Sequence, residues 1–219
     1  MGTVIGDLLP LAIGVAVSPV PIIAAILMLL GTHARTTSIG FAIGWIIGIV
    51  SATVIFVLVG AAIDTSSGPS RASSWIKLVL GLLLLLLGVR DWRVRSAVAA
   101  SPKWMAAIDD MKPPAGFGIG FVLAAVNPKN LMLCAAAGVD IGTGGLSGRA
   151  VLTAIALFGV IAASSVAGPV IAYQVAADSL AGALDALKEW LRANNQAVMA
   201  VLFLVLGISL LGKGIGGLT

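Results

Sequence analysis

Apolar residues run along this chain in long, unbroken stretches separated by short polar connectors, with no sustained alternation of the kind a half-buried strand requires. A helix that crosses a bilayer needs about 20 largely apolar residues. Six stretches qualify, at about 3–30, 37–63, 74–89, 115–139, 149–176 and 195–211. The third contains six leucines between Gly81 and Gly88. A membrane barrel would instead show alternating segments of about 10 residues. The pattern predicts an all-α integral membrane protein with six transmembrane helices in one membrane domain, 1–219. The N-terminal residues lack the basic stretch of a cleaved signal and read as the start of the first span.

Two connectors break the apolar rhythm. Residues 91–114 are polar, carry Trp92 and Trp104, and close on Pro113-Pro114, which stops any helix before the fourth span. They read as a cytoplasmic loop with interfacial tryptophans. Over 178–193, Leu180, Leu184, Leu187 and Leu191 share one helical face, and Asp185, Lys188, Glu189 and Arg192 take the other. That pattern fits an interfacial helix on the membrane or a solvated helix packed on the bundle.

Composition agrees: 59% of the 219 residues are apolar and 10% are charged, against about 25% charged in an ordinary soluble domain. Soluble and disordered classes are excluded on those grounds. One cysteine, Cys134, and one histidine, His33, leave neither a dithiol nor a zinc site, so no metal is expected. The net charge of +4 first suggests nucleic acid, yet in an apolar chain basic residues mark cytoplasmic loops. Arg35, Arg90, Arg93, Arg95, Lys103, Lys112, Lys188 and Arg192 fall on one side, and Arg71, Lys77, Arg149 and Lys213 on the other. Both termini are therefore expected outside the cytoplasm, and no nucleic-acid partner is expected.

The first span contains Ala16-Val17-Ser18-Pro19-Val20-Pro21, and the fourth contains Ala125-Val126-Asn127-Pro128-Lys129-Asn130. Matching breaks in corresponding spans predict two inverted three-helix repeats, about 1–90 and 115–219, with spans 1 and 4 broken at Pro19 and Pro128. Ser and Asn are good N-caps and Pro suits the first helical turn. Each motif therefore reads either as a new half-helix starting in mid-span or as a kink in a continuous one. Two half-helix N-termini pointing inward would form an anion site.

Lys129 bears on that choice. A lysine near the centre of a span costs about 2.5–3.5 kcal/mol on insertion scales, and Asp7 and Asp140 sit near span ends. An anionic ligand would satisfy its ammonium, unless the side chain snorkels to an interface. In a regular helix Lys129 points about 200° away from Asn127, so Asn127, Lys129 and Asn130 share a cavity only if the backbone is irregular at Pro128. Ser164, Ser165 and Pro169 of the fifth span offer a third wall, or simply close packing. The expected substrate-binding set is Ser18, Pro19, Pro21, Asn127, Pro128, Lys129, Asn130, Ser164, Ser165 and Pro169. His33 reads as solvated and Cys134 as a small apolar filler.

The runs Ser18-Pro19-Val20-Pro21-Ile22-Ile23-Ala24, Asn127-Pro128-Lys129-Asn130-Leu131 and Lys188-Glu189-Trp190-Leu191-Arg192-Ala193-Asn194-Asn195 resemble the GAP-like, or sulfolipid-addressing, family of actinobacteria. That family is placed in the lysine-exporter (LysE) superfamily. The resemblance implies an exporter of inverted halves in the bacterial cytoplasmic membrane, associated with moving cell-envelope glycolipids outward. The expected function is transport of an anionic lipid or glycolipid by alternating access. A small-solute exporter and a non-transporting scaffold, recruiting envelope-lipid enzymes through residues 90–114, are the alternatives. With no nucleotide-binding motif, direct ATP hydrolysis is excluded. No enzyme activity and no cofactor are expected; membrane lipids are the expected surroundings, and a homodimer stays open.

Overall fold

The computed structural model describes residues 2–63, 71–95 and 112–218, and every element among them is a helix. The order is α1 (Gly2–Ala16), α2 (Pro19–Leu30), α3 (Ala34–Ile63), α4 (Arg71–Arg93), α5 (Pro113–Ala125) and α6 (Pro128–Gly142). The helical stretch Gly148–Gly216 is broken at Ala176 (φ −139°, ψ 49°). We label its parts α7 (Gly148–Ala177) and α8 (Ser179–Gly216). Most of the expected loop 91–114 lies outside the described residues, although α4 continues through Arg93 and α5 begins at Pro113.

Four helices, α3, α4, α7 and α8, are long and apolar enough to cross a membrane, and the number rises to six if each bent pair forms one span. Those pairs are α1 with α2, bent by 50°, and α5 with α6, bent by 61°. Both bends fall at the Ser-Pro and Asn-Pro steps, so these helices are broken rather than continuous. At 38 residues, α8 is about 57 Å long at the α-helical rise. It has no non-helical residue between 178–193 and the last apolar stretch. The interfacial helix expected as a separate element is joined to the final span. Leu184 and Leu191 are buried, and Leu191 packs against Ile23 of α2 with Ile22 and Leu27 beside it. Leu184 and Leu191 of the apolar face thus pack on the bundle, whereas Leu187 stays exposed.

Backbone proximity through glycine organises the helix pairs. A methyl group added at Gly40 would lie 2.6 Å from the Pro113 carbonyl oxygen, and one at Gly44 would collide with the Phe117 carbonyl. From the other side, Gly116 abuts Thr37, and Gly120 abuts Phe41. The spacing of four places these small residues on one face of each helix, which lets α3 and α5 approach closely. On the α4–α8 contact the spacing is seven: Gly81 and Gly88 receive α8, while Gly207 and Gly214 receive Leu85 and Leu78. A seven-residue repeat keeps a contact seam on one side of each helix.

Two acidic residues near helix ends, as expected, are paired across the bundle. Asp140 is buried within α6 and pairs with Lys77 of α4 at 2.7 Å. Asp7 of α1 pairs with Lys213 of α8 at 2.9 Å. Burial demands a partner for Asp140, whose side chain is almost fully covered, whereas Asp7 is partly exposed.

Candidate functional site

The site grows out of carbonyls that the two breaks leave without helical partners. In α2, Pro19 and Pro21 carry no backbone N–H. The Val17 carbonyl would ordinarily accept from position 21, which is proline. Lys129 supplies the missing donor, its Nζ donating to the Val17 oxygen at 3.2 Å. Nearby, Ser165 Oγ donates to the Ala16 carbonyl at 2.6 Å, repairing the end of α1 from α7. At the second break, Asn130 Nδ2 donates to the Leu123 carbonyl at 2.9 Å.

Ser18 occupies the N-cap of α2 but makes no capping bond, whereas Asn127 caps α6 by accepting from the Lys129 backbone N–H at 3.1 Å. Ser18 is instead the hinge of a buried triangle. Its Oγ accepts from Lys129 Nζ at 2.7 Å and donates to Asn130 Oδ1 at 3.1 Å. Met199 Sδ lies 3.8 Å from the same ammonium. Lys129 is only 5% exposed, so its ammonium is held inward. The irregular backbone at Pro128 resolves the facing problem: Lys129 and Asn130 both reach Ser18 across the two breaks.

A cavity of about 270 Å³ opens on this triangle. The first turn of α2 (Ser18 to Pro21) and the start of α6 (Asn127 to Lys129) form two of its walls, so both half-helix N-termini face it. Arg90 and Asp91 from α4 and Asn195, Gln196 and Met199 from α8 complete it. Among the described residues, the ion pairs involve Lys77, Lys188, Arg192 and Lys213, and none involves Lys129. Lys129, Arg90, two helix N-termini and three amide side chains outweigh the one lining carboxylate, Asp91, and make a site suited to a negatively charged group.

The expected residues are not all brought together. Ser18, Pro19, Pro21, Asn127, Pro128 and Lys129 line the cavity, and Asn130 lies directly behind it. Ser165 reaches the break from outside the cavity wall. Ser164 is exposed and donates to Ile161 of its own helix, and neither it nor Pro169 is among the lining residues. The fifth span therefore supports the break without walling the site. Arg90, Asp91, Asn195, Gln196 and Met199 went unrecognised: the first two read as loop, and the polar run 194–196 read as the edge of the last span. His33 is exposed and Cys134 fully buried.

Beside this cavity, on the other side of the link 17–18, lies an apolar cleft of about 880 Å³ between α1 and α8. Leu9, Ile13 and Val17 line one wall, and Val198, Val201 and Val205 the other. Trp190 and Asn194 stand at the end nearest the polar cavity.

Residues 8–216 match the family model SfLAP, described as Sap, sulfolipid-1-addressing protein. The chain belongs to that family. No curated protein and no solved structure matches it.

Proposed function

We propose that this protein is a membrane transporter that flips or exports an anionic lipid or glycolipid of the cell envelope by alternating access. The observation that carries the reading is Lys129. Its ammonium is buried at the meeting point of two broken helices, paired with no carboxylate among the described residues, and it borders a cavity faced by two helix N-termini. Leaving such a charge in an apolar bundle is costly, and a phosphate, sulfate or carboxylate head group offsets that cost. The adjoining apolar cleft favours an amphiphile over a small solute, since a head group at Lys129 would leave its chains beside α1 and α8.

The family description, sulfolipid-1-addressing protein, supports a lipid cargo without naming this one. Bends of 50° and 61° deflect each half-helix without returning it, which favours six spans in two inverted halves within the cytoplasmic membrane. Placement in the lysine-exporter superfamily belongs to the same proposal. Transport by rocking of the halves needs no catalytic step in this chain.

The test is flux in reconstituted vesicles, with fluorescent phosphatidylglycerol and phosphatidylcholine as anionic and zwitterionic probes. Wild-type protein is expected to move the anionic probe preferentially. Lys129→Ala should cut that flux at least tenfold and Lys129→Glu should abolish it. Flux of the anionic probe unchanged in both folded variants would remove the head-group role.

A further inference from the structure

Three helices that wall the Lys129 cavity, α4, α6 and α8, and α1, which leads into it at the Ser18 break, each carry a charged residue at their opposite end. From the cavity, α1 leads back from Ser18 to Asp7, α4 from Arg90 to Lys77, α6 from Lys129 to Asp140, and α8 from Gln196 to Lys213. Each separation is about 16–25 Å along the helix. At that far end the four charges form two ion pairs, Lys77 with Asp140 at 2.7 Å and Lys213 with Asp7 at 2.9 Å. Lys213 and Asp7 also act electrostatically on Asp140, so the pairs form one cluster.

Both pairs join an element of the first half of the chain to one of the second: α4 to α6, and α1 to α8. We infer that this four-charge cluster is the gate that closes the end of the transport path opposite the Lys129 cavity. The inference rests on the transport reading above and assigns a role to residues outside the binding site. The Asp140 carboxylate is 3% exposed and that of Asp7 44% exposed, so the buried pair is the lock and the outer pair its flank. Separating a buried pair strands both charges unless water enters, so the far end has two discrete conditions, sealed and hydrated. Because α6 carries Lys129 near one end and Asp140 near the other, a head group that shifts the first displaces the second.

Paired spin labels test this, with Cys134→Ala removing the single native thiol and labels attached at Arg71→Cys and Ser147→Cys. Both positions are exposed and flank the Lys77–Asp140 end. In vesicles of phosphatidylethanolamine and phosphatidylglycerol, the parent protein should give one short inter-label distance. Lys213→Asp and Asp140→Asn should each add a longer-distance population. The charge swaps Asp7→Lys with Lys213→Asp, and Lys77→Asp with Asp140→Lys, should restore the single short distance.

Folded variants that keep the parent distribution would overturn the gate, as would swaps that stay open. If Asp140→Asn cannot be recovered folded, Lys213→Asp decides, because its pair is partly exposed. Probe flux in the same vesicles separates the two claims. Responsive distances without Lys129-dependent flux would sink the transport reading and leave the cluster a two-state contact with no path to gate, and the reverse result would sink the gate alone.

Discussion

Pro21 takes away the backbone donor that a hydroxyl at position 18 would ordinarily accept at the third helical position. Ser18 Oγ instead receives Lys129 and donates to Asn130. Asn127 keeps its cap by accepting from the Lys129 N–H at the second helical position, whereas Ser18 makes no cap to the matching Val20 N–H. Two motifs alike in sequence thus do different work. A change at Asn130 probes the charge balance directly. Asn130→Asp keeps the acceptor for Ser18 and places a carboxylate one hydroxyl away from the Lys129 ammonium. The expected outcome is loss of anionic-probe flux in a variant that still folds, because the lysine then has an internal counter-ion; Asn130→Ala, which equally loses the Nδ2 donor to Leu123 but adds no charge, should keep more of the flux. Ser18→Ala acts differently: it leaves Lys129 and Asn130 each one partner short, and should cost about 1–3 kcal/mol of stability. Thermal unfolding in detergent measures the second, and vesicle flux the first. Lys129 and the proline steps were legible in the sequence because a charge in mid-span and a missing N–H are local facts. Asn195, Gln196 and Arg90 were not, because their place at the cavity depends on how α4 and α8 cross.

At the scale of the element, the broken spans could be read from proline and cap chemistry, whereas the helix pairing could not be read from hydropathy. Glycine contributes almost nothing to an apolar run, yet the Gly40-Gly44-Gly48 and Gly116-Gly120 stripes are what bring α3 and α5 into backbone contact. The signal was present as a spacing of four, hidden inside runs whose average hydropathy was the feature being weighed. Glycines in the same helix make the prediction specific. Gly120 has the Phe41 carbonyl where a Cβ would sit, while Gly118 has nothing within 4 Å. Gly120→Leu should therefore destabilise the fold by about 1–3 kcal/mol or more. Gly118→Ala should be neutral or slightly stabilising, since alanine is the better helix former. Comparing the melting temperatures of the two variants checks the assignment of the packed face.

For the whole molecule, composition and run length were enough to place the chain in a membrane, because those properties sum over residues. The number of crossings does not sum that way. A bent pair crosses once if its second half continues forward and not at all if it turns back, and apolar content is the same in both cases. The structure gives deflections of 50° and 61°; a re-entrant hairpin would require its second half to reverse direction. The two topologies make opposite statements about Thr32 and Ser147, which are both exposed and follow the first and second bent pairs. With six crossings, an odd number of spans separates the two positions, so they face opposite sides of the membrane. With four crossings and two re-entrant pairs, they face the same side. On a Cys134→Ala background, Thr32→Cys and Ser147→Cys should therefore react with a membrane-impermeant maleimide from opposite sides of the bilayer, tested in sealed spheroplasts and inverted vesicles. Labelling of both from one side would show that α5 and α6 together do not cross, and would remove the opposed half-helices on which the anion site depends.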